Sequence, residues 1–289
     1  MSNKKQHILI TCGGGSASIY LARRLTSYNV FLSDADSVSV AKHLGYPFAP
    51  LPFGNKRGYQ KALDTLVRRW NINVIVPGAD EELLSVRDYC DKNPETIAVL
   101  PSKEFIRMCL NKGLLMKRLA QENISHLLPY QSLHTVRFPL LAKPNQGRGS
   151  RFVHRLENRV QLRGYFALYG LQKSDVLLQP FIGGTEYTIS VIVNNKNKIV
   201  GIVPKRVIKK RGITHVAVSE KSAPIETICK KIVARLRPAG PFNVQLKIWK
   251  NRIYIFEINP RLSTTTVLTD QVFGNEVGLY LHYYNTDRI

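Results

Sequence analysis

The 289-residue sequence is short of acid, of cysteine and of long apolar runs. It has 20 Asp plus Glu against 42 Lys plus Arg, a formal net charge of +22. Its four cysteines (Cys12, Cys90, Cys109, Cys229) include no C-x-x-C pair. That argues against a zinc site or a disulfide framework and makes a reducing cytoplasm the expected location. Its seven histidines include no pair at helical metal spacing. No apolar run approaches the roughly 20 residues that span a bilayer, so no membrane segment or signal peptide is expected. There is no internal repeat, no low-complexity stretch and no G-x-x-x-x-G-K-[ST] phosphate loop.

What is present is a folded chain: 44% of residues are hydrophobic and 21% charged. The charge is uneven. Residues 1–104 carry 13 basic and 10 acidic side chains, and residues 105–289 carry 29 and 10. Such an excess points first to a polyanion, either nucleic acid or a phosphorylated substrate, against the plainer alternative of a generally basic surface.

Short apolar runs alternate with helix-period segments over the first hundred residues. Strands are expected at 7–11, 30–33, 74–76 and 97–100, and helices at 19–28, 59–70 and 83–92. This order predicts an α/β unit with a doubly wound parallel sheet. From 104 onward the expectation is one long helix over 104–123, then strands at 140–143, 176–179, 186–194 and 199–203, with a helix at 225–236. Strand-rich sequence of this kind predicts α+β structure with antiparallel pairing.

Gly13-Gly14-Gly15-Ser16 sits between a strand and a helix, and Asp34 follows Gly13 by 21 residues. A dinucleotide site, a tight turn and an acceptor-substrate site all remain open there, although Ser18 replaces the third glycine of the dinucleotide pattern.

The most informative stretch is 241–261. Two strands, 243–249 and 253–259, joined by a three-residue turn, would place Gln245 opposite Glu257. In that register Val244, Leu246, Ile248, Tyr254, Phe256 and Ile258 form an apolar face. Asn243, Gln245, Lys247, Glu257 and Asn259 form a polar one. Oxygen donors from Gln245, Glu257 and Asn259 on one face suit Mg²⁺, and Arg261 follows in the turn. An amphipathic hairpin with a polar outer face is the alternative.

Phe256-Glu-Ile-Asn-Pro-Arg-Leu-Ser263, preceded by Asn243-Val-Gln245, resembles the metal-binding segment of ATP-grasp ligases. The likeness is to the carbamoyl-phosphate synthetase large chain and short synthetase-like proteins. It extends over nearly the whole chain. It implies a pre-ATP-grasp domain at 1–103, an N-terminal and lid subdomain at 104–180 and a C-terminal subdomain at 181–289. It also implies ATP with Mg²⁺, or Mn²⁺ in its place, and a reaction that joins a carboxylate to an amine or thiol through an acyl phosphate. Small-molecule substrates, no membrane and a homodimer belong to the same expectation; nucleic acid does not.

Carried onto this sequence, the resemblance gives Lys112 and Lys143 to the phosphates and Gly147, Gly149 and Ser150 to a covering loop. It gives Gln179, Phe181 and Ile182 to the adenine edge, and Glu186 to the ribose. Gln245 and Glu257 would serve nucleotide and metal, with Asn259 completing the metal set. Arg261, Lys205 and Arg206 would stabilise the transferring phosphoryl group. Gly13, Gly14, Asp80 and Glu81 would meet the acceptor substrate. No Cys–His or Ser–His nucleophile is needed. The rival classes are a dinucleotide-dependent oxidoreductase and a basic nucleic-acid-binding protein.

Overall fold

The computed structural model describes residues 5–125, 127–147, 149 and 151–286. Its first unit runs β1 (His7–Ile10), α1 (Ser16–Arg24), β2 (Asn29–Asp34), β3 (Phe48–Pro50), α2 (Tyr59–Trp70), β4 (Val74–Val76), α3 (Leu83–Lys92) and β5 (Ile97–Ala98). The five strands pair in parallel in the order β3-β2-β1-β4-β5. The chain therefore reverses its winding between β1 and β4, and the crevice above their C-terminal ends is where such sheets take ligands. Helix α1 starts three residues earlier than expected and ends at Arg24, where the Leu25 N–H closes on the Leu21 carbonyl.

The single helix expected over 104–123 is instead two, α4 (Lys103–Leu110) and α5 (Lys112–Gln121). Asn111 leaves the helical region at φ −107°, ψ 101°, and its side chain caps the Leu114 N–H. The periodicity continues across the break, so the sequence pattern alone reads as one helix. Then come β6 (Leu140–Pro144), β7 (His154–Leu156), α6 (Arg159–Tyr169) and β8 (Val176–Pro180), forming a small antiparallel sheet in the order β7-β6-β8.

The last unit comprises β9 (Thr185–Val193), β10 (Ile199–Arg211), β11 (Ile213–Ser219), α7 (Ala223–Leu236), β12 (Phe242–Trp249), β13 (Arg252–Asn259), α8 (Thr266–Val272) and α9 (Glu276–His282). Its sheet is antiparallel in the order β11-β10-β9-β12-β13.

The cores cut across the boundaries expected at 103/104 and 180/181. Phe105, Leu115 and Leu119 of α4 and α5 pack with Ile225 of α7 and Val244 of β12 against the C-terminal sheet. Val277 and Tyr280 of α9, from the chain's end, pack with Ile8 and Ile10 of β1. The β6–β8 sheet and α6 keep their own small cluster around Leu140 and Tyr165. No helix among the described residues is long and apolar enough to cross a membrane.

Candidate active site

The β12–β13 hairpin pairs Gln245 with Glu257 and Asn243 with Asn259, as the sequence predicts, but by a different route. Its turn has two residues, Lys250 and Asn251, both left-handed at φ 47° and 59°, and Trp249 faces Arg252. A β-bulge then skips Phe256 between the Leu246–Ile255 and Gln245–Glu257 pairs and restores the register. The shorter turn changes the expected faces of residues 253–256, and the bulge restores those beyond them. Ile255 and Ile258 enter the core, whereas Tyr254, Phe256 and Glu257 line a cleft between the two antiparallel sheets.

Four lysines line this cleft, and Lys112, Lys143 and Lys210 are the ones nearest Gln245 and Glu257. Lys112 is the first residue of α5. The Asn111 break and the Asn145 loop hold it there: Asn145 accepts from the Lys112 N–H through its carbonyl (3.1 Å) and from the Gly113 N–H through its side chain (2.8 Å). Lys112 Nζ donates to the Gly147 carbonyl at 2.7 Å and lies 3.7 Å from Glu257 Oε1. Lys143, on β6 and 4% exposed, donates to the Phe256 carbonyl at 2.8 Å. Burial pulls its pKa down to about 8; Glu257 opposes that shift, and neighbouring Lys112 and Lys210 add to it. Lys210, on β10, donates to Glu186 Oε1 at 2.6 Å and reaches Gln245 Oε1 at 3.5 Å.

The cleft also has apolar walls, formed by Leu127, Leu141, Phe181, Ile182, Tyr254 and Phe256, with Lys143 and Lys210 Nζ 5.8 and 5.6 Å from the Phe256 ring centre. Gln179 lies there, 1% exposed. Its Nε2 donates to the Leu127 carbonyl at 2.8 Å, which leaves Oε1 buried with no hydrogen-bond partner among the described residues. An orphaned acceptor beside a flat apolar slot fits an adenine amino group. The phosphates would then extend towards the lysines.

The hard-cation set also fits. Gln245, Glu257 and Asn259 line one cavity, with one carboxylate and two amide oxygens on a single face of the hairpin. At its edge Arg261 Nε donates to Asp80 Oδ1 at 2.6 Å. Asp80 therefore orients this guanidinium and belongs to the ion pair. Glu81 is exposed on the rim of the neighbouring cavity that Asp80, Glu257 and Asn259 also line.

Several expected site residues are placed elsewhere. Lys205 is fully buried beneath α8, donating to Ser190 Oγ (2.7 Å), Thr269 Oγ1 (2.8 Å) and the Thr265 carbonyl (3.4 Å). Arg206 donates to Glu220 at 2.9 Å and lines none of the cavities described here. Gly13 packs against Ala41, and the Gly14 N–H donates to Asp34 Oδ2 at 2.8 Å, which also accepts from Ser39 Oγ. The carboxylate that would hold a dinucleotide ribose is thus folded back onto the glycine loop. Gly147 and Gly149 have positive φ, 121° and 70°, and each lines one or more of the cavities. Ser150 lies outside the described residues.

Sequence reasoning missed Tyr254 and Phe256, because a three-residue turn assigns both to the core and the observed two-residue turn faces them outward. Lys210 stands between Lys209 and Arg211, and nothing in that basic run singles it out. The polar alternation of the hairpin already offered Lys247, whose Nζ donates to the Ile182 carbonyl at 2.9 Å in the cleft wall.

A comparison with protein families matches residues 109–265 to the family described as ATP-grasp domain. Among solved structures, the chain is similar to L-amino acid ligase from Bacillus licheniformis. The identity is 16% over 98% of this chain and 74% of that one, with a TM-score of 0.74. It is also similar to N5-carboxyaminoimidazole synthetase from Staphylococcus aureus complexed with ADP (16%, 100% and 80%, TM-score 0.77). A third likeness is to the biotin carboxylase domain dimer of Hydrogenobacter thermophilus 2-oxoglutarate carboxylase, in complex with ADP, its magnesium salt and bicarbonate (12%, 98% and 70%, TM-score 0.75). At these identities the likeness is one of fold.

Proposed function

The chain belongs to the ATP-grasp family, whose enzymes use ATP and Mg²⁺, and from that premise we propose that it is a carboxylate–amine ligase working through an acyl phosphate. The observation that carries the reading is the convergence of Lys112, Lys143 and Lys210 on the face where Gln245 pairs with Glu257. The similarity to a ligase that acts on amino acids and to a synthetase holding ADP supports it.

In this reading Gln179 and the Phe181–Ile182 backbone fix the base, and Lys143 and Lys112 hold the phosphate chain. Glu186, now paired with Lys210, exchanges that partner for ribose hydroxyls. Gln245, Glu257 and Asn259 would hold Mg²⁺, which would supply neutralisation of phosphate charge. Arg261, oriented by Asp80, offers its fork to the carboxylate oxygens and the transferring group. The carboxylate oxygen forms a bond to the γ-phosphorus as the bond to the β–γ bridging oxygen breaks, releasing ADP. The amine nitrogen then attacks the acyl carbon. The C–N bond forms, the C–O bond to phosphate breaks, and the nitrogen's proton passes to solvent. The chain's own contribution is positioning and electrostatic stabilisation, with no protein nucleophile. A homodimer belongs to the same proposal, by likeness to the dimeric carboxylase domain.

The test is thermal stabilisation by ATP or ADP together with ADP release from pooled carboxylates and amines. Stabilisation that requires Mg²⁺ and is lost in Glu257→Ala with Asn259→Ala is the expected result. Absence of any nucleotide effect in the presence of Mg²⁺ overturns the reading.

A further inference from the structure

A further cavity lies between the loops that follow β1 and β4 in the first unit and the chain that follows β13 in the last. It shares Gly149, Ile213, Arg261 and Thr264 with the hairpin cavity that Gln245, Glu257 and Asn259 line, so the two adjoin. Its volume is about 310 Å³, twice the roughly 150 Å³ that is enough to hold a benzene ring.

Among the described residues two charged side chains line it, and each also lines a neighbouring site: Arg151 the nucleotide cleft and Arg261 the hairpin cavity. No carboxylate or lysine among the described residues does. Every described lining residue that it does not share with those two sites is uncharged. Ile10, Leu21, Val76 and Leu262 are buried and form an apolar wall, with Ala17 of α1 in the same lining. The Ser18 hydroxyl there is engaged internally, donating to the Thr11 carbonyl at 3.4 Å. Arg261 Nε donates to Asp80 Oδ1 and Nη1 to the Leu262 carbonyl (3.1 Å), which fixes the plane of the guanidinium at the boundary of the two cavities. The charge thus belongs to the side of phosphoryl transfer and the interior is apolar. An ionised group pushed past the arginines would lose its water with no opposite charge to replace it, whereas each methylene gains by leaving water.

We propose that this cavity takes the tail of the carboxylate substrate, which is therefore a monocarboxylic acid with an uncharged apolar chain, with or without an amino group beside the carboxylate. This rests on the ligase reading above. Arg261 holds the carboxylate at the boundary with the hairpin cavity, and the chain runs away from the nucleotide between Ala17, Leu21 and Leu262. Selection comes from apolar surface removed from water and from the absence of any partner for a charge at the far end.

The experiment measures ADP release with hydroxylamine as the amine and two homologous series as the acid, acetate to hexanoate and alanine to norleucine. Glutarate and glutamate serve as acids with a second charge at the far end. KM is expected to fall about fourfold per added methylene in one series or both, with glutarate and glutamate no better than the shortest acids. Ala17→Leu and the bulkier Ala17→Phe narrow the cavity from α1. They should raise KM for the longest acid about tenfold or more, while turnover with the shortest acid and stabilisation by Mg-ATP stay at the starting values. KM independent of chain length in both series, a preference for the charged-ended acids, or a chain-length dependence that both folded variants leave unaltered overturns this inference and leaves the ligase reading standing. If Mg-ATP neither stabilises the protein nor is cleaved, the ligase reading falls. Where no acid supports ADP release, calorimetric titration with hexanoate and norleucine decides for the cavity alone. Binding weakened in the Ala17 variants supports it, and no binding, or binding they do not alter, overturns it.

Discussion

Asp80 and Arg261, 181 positions apart, form an ion pair at 2.6 Å in which each side chain is only 16% exposed. It ties the loop after β4 in the first unit to the end of β13 in the last. The first unit thereby sets the direction of a guanidinium at the edge of the phosphoryl-transfer face.

Asp80→Asn is therefore expected to lower turnover several-fold while leaving Mg-ATP affinity unchanged, because Asp80 touches the guanidinium and not the nucleotide. A double-mutant cycle with Arg261→Lys, read by denaturant unfolding, should give a coupling of about 1–2 kcal/mol. Additive single effects would mean that the pair contributes nothing as a pair.

Burial holds Lys143 at about 8, below the 10.5 of a free lysine. Between those values the unfolded chain binds a proton that the folded chain has released, so this group's contribution to stability rises as pH climbs from about 8 to 10.5. A bound phosphate reverses the preference by favouring the charged amine. ATP affinity should accordingly fall above pH 8, with proton uptake on binding that calorimetry in buffers of different ionisation enthalpy will detect. Lys143→Met should abolish that uptake and weaken binding about tenfold or more.

The buried Oε1 of Gln179, without a partner among the described residues, calls for a hydrogen donor on the base. Gln179→Met should weaken ATP binding by about 1–3 kcal/mol, the cost range of a lost buried hydrogen bond, with little effect on GTP, which presents an acceptor at that edge. Competition titrations of the two nucleotides check this.

Lys205 is enclosed by Ser190, Thr265 and Thr269, and burial pulls its pKa to about 8 against the opposing charge of Glu276. Neither oxygen of the buried Glu276 has a hydrogen-bond partner among the described residues. Lys205→Met removes its hydrogen bonds to Ser190, Thr265 and Thr269 and should cost about 1–3 kcal/mol in unfolding experiments. Any folded protein should retain its affinity for Mg-ATP. A large loss of ATP affinity at unchanged stability would return Lys205 to the nucleotide site.

Much of the fold is legible in the sequence because strong local signals agree with tertiary demands. The helices at 59–70 and 83–92 and the strand at 74–76 match the observed limits. What escapes is decided by single residues acting against a periodic background. Asn111 interrupts a continuous helical pattern by capping a new helix, and in doing so points Lys112 into the cleft. Phe256 breaks alternation by one residue, which no count of apolar positions reveals. The pairing of Gln245 with Glu257 is reached from the sequence through a wrong turn length, because turn and bulge compensate one another. Long-range partnerships such as Asp80 with Arg261 leave no trace in local spacing, and a shared acidic run reads equally well as a helix start. Lys205 and Lys210 belong to one basic stretch, and nothing in it shows that the first is enclosed by Ser190 and Thr269 while the second reaches Glu186 in the cleft.

The compensation between turn and bulge makes the exposed hairpin tip a remote control of the cleft wall. Two registers are open to these strands: a left-handed turn at Lys250-Asn251 with a bulge, or a wider turn with an unbroken ladder. Both keep Gln245 opposite Glu257, but the second would bury Phe256 and Tyr254 and turn Ile255 outward. Drift at a solvent-exposed turn could therefore exchange the aromatic lining of the base slot for an aliphatic one while leaving every metal ligand in place. Relatives that differ only at that tip would differ in nucleotide grip before they differed in chemistry.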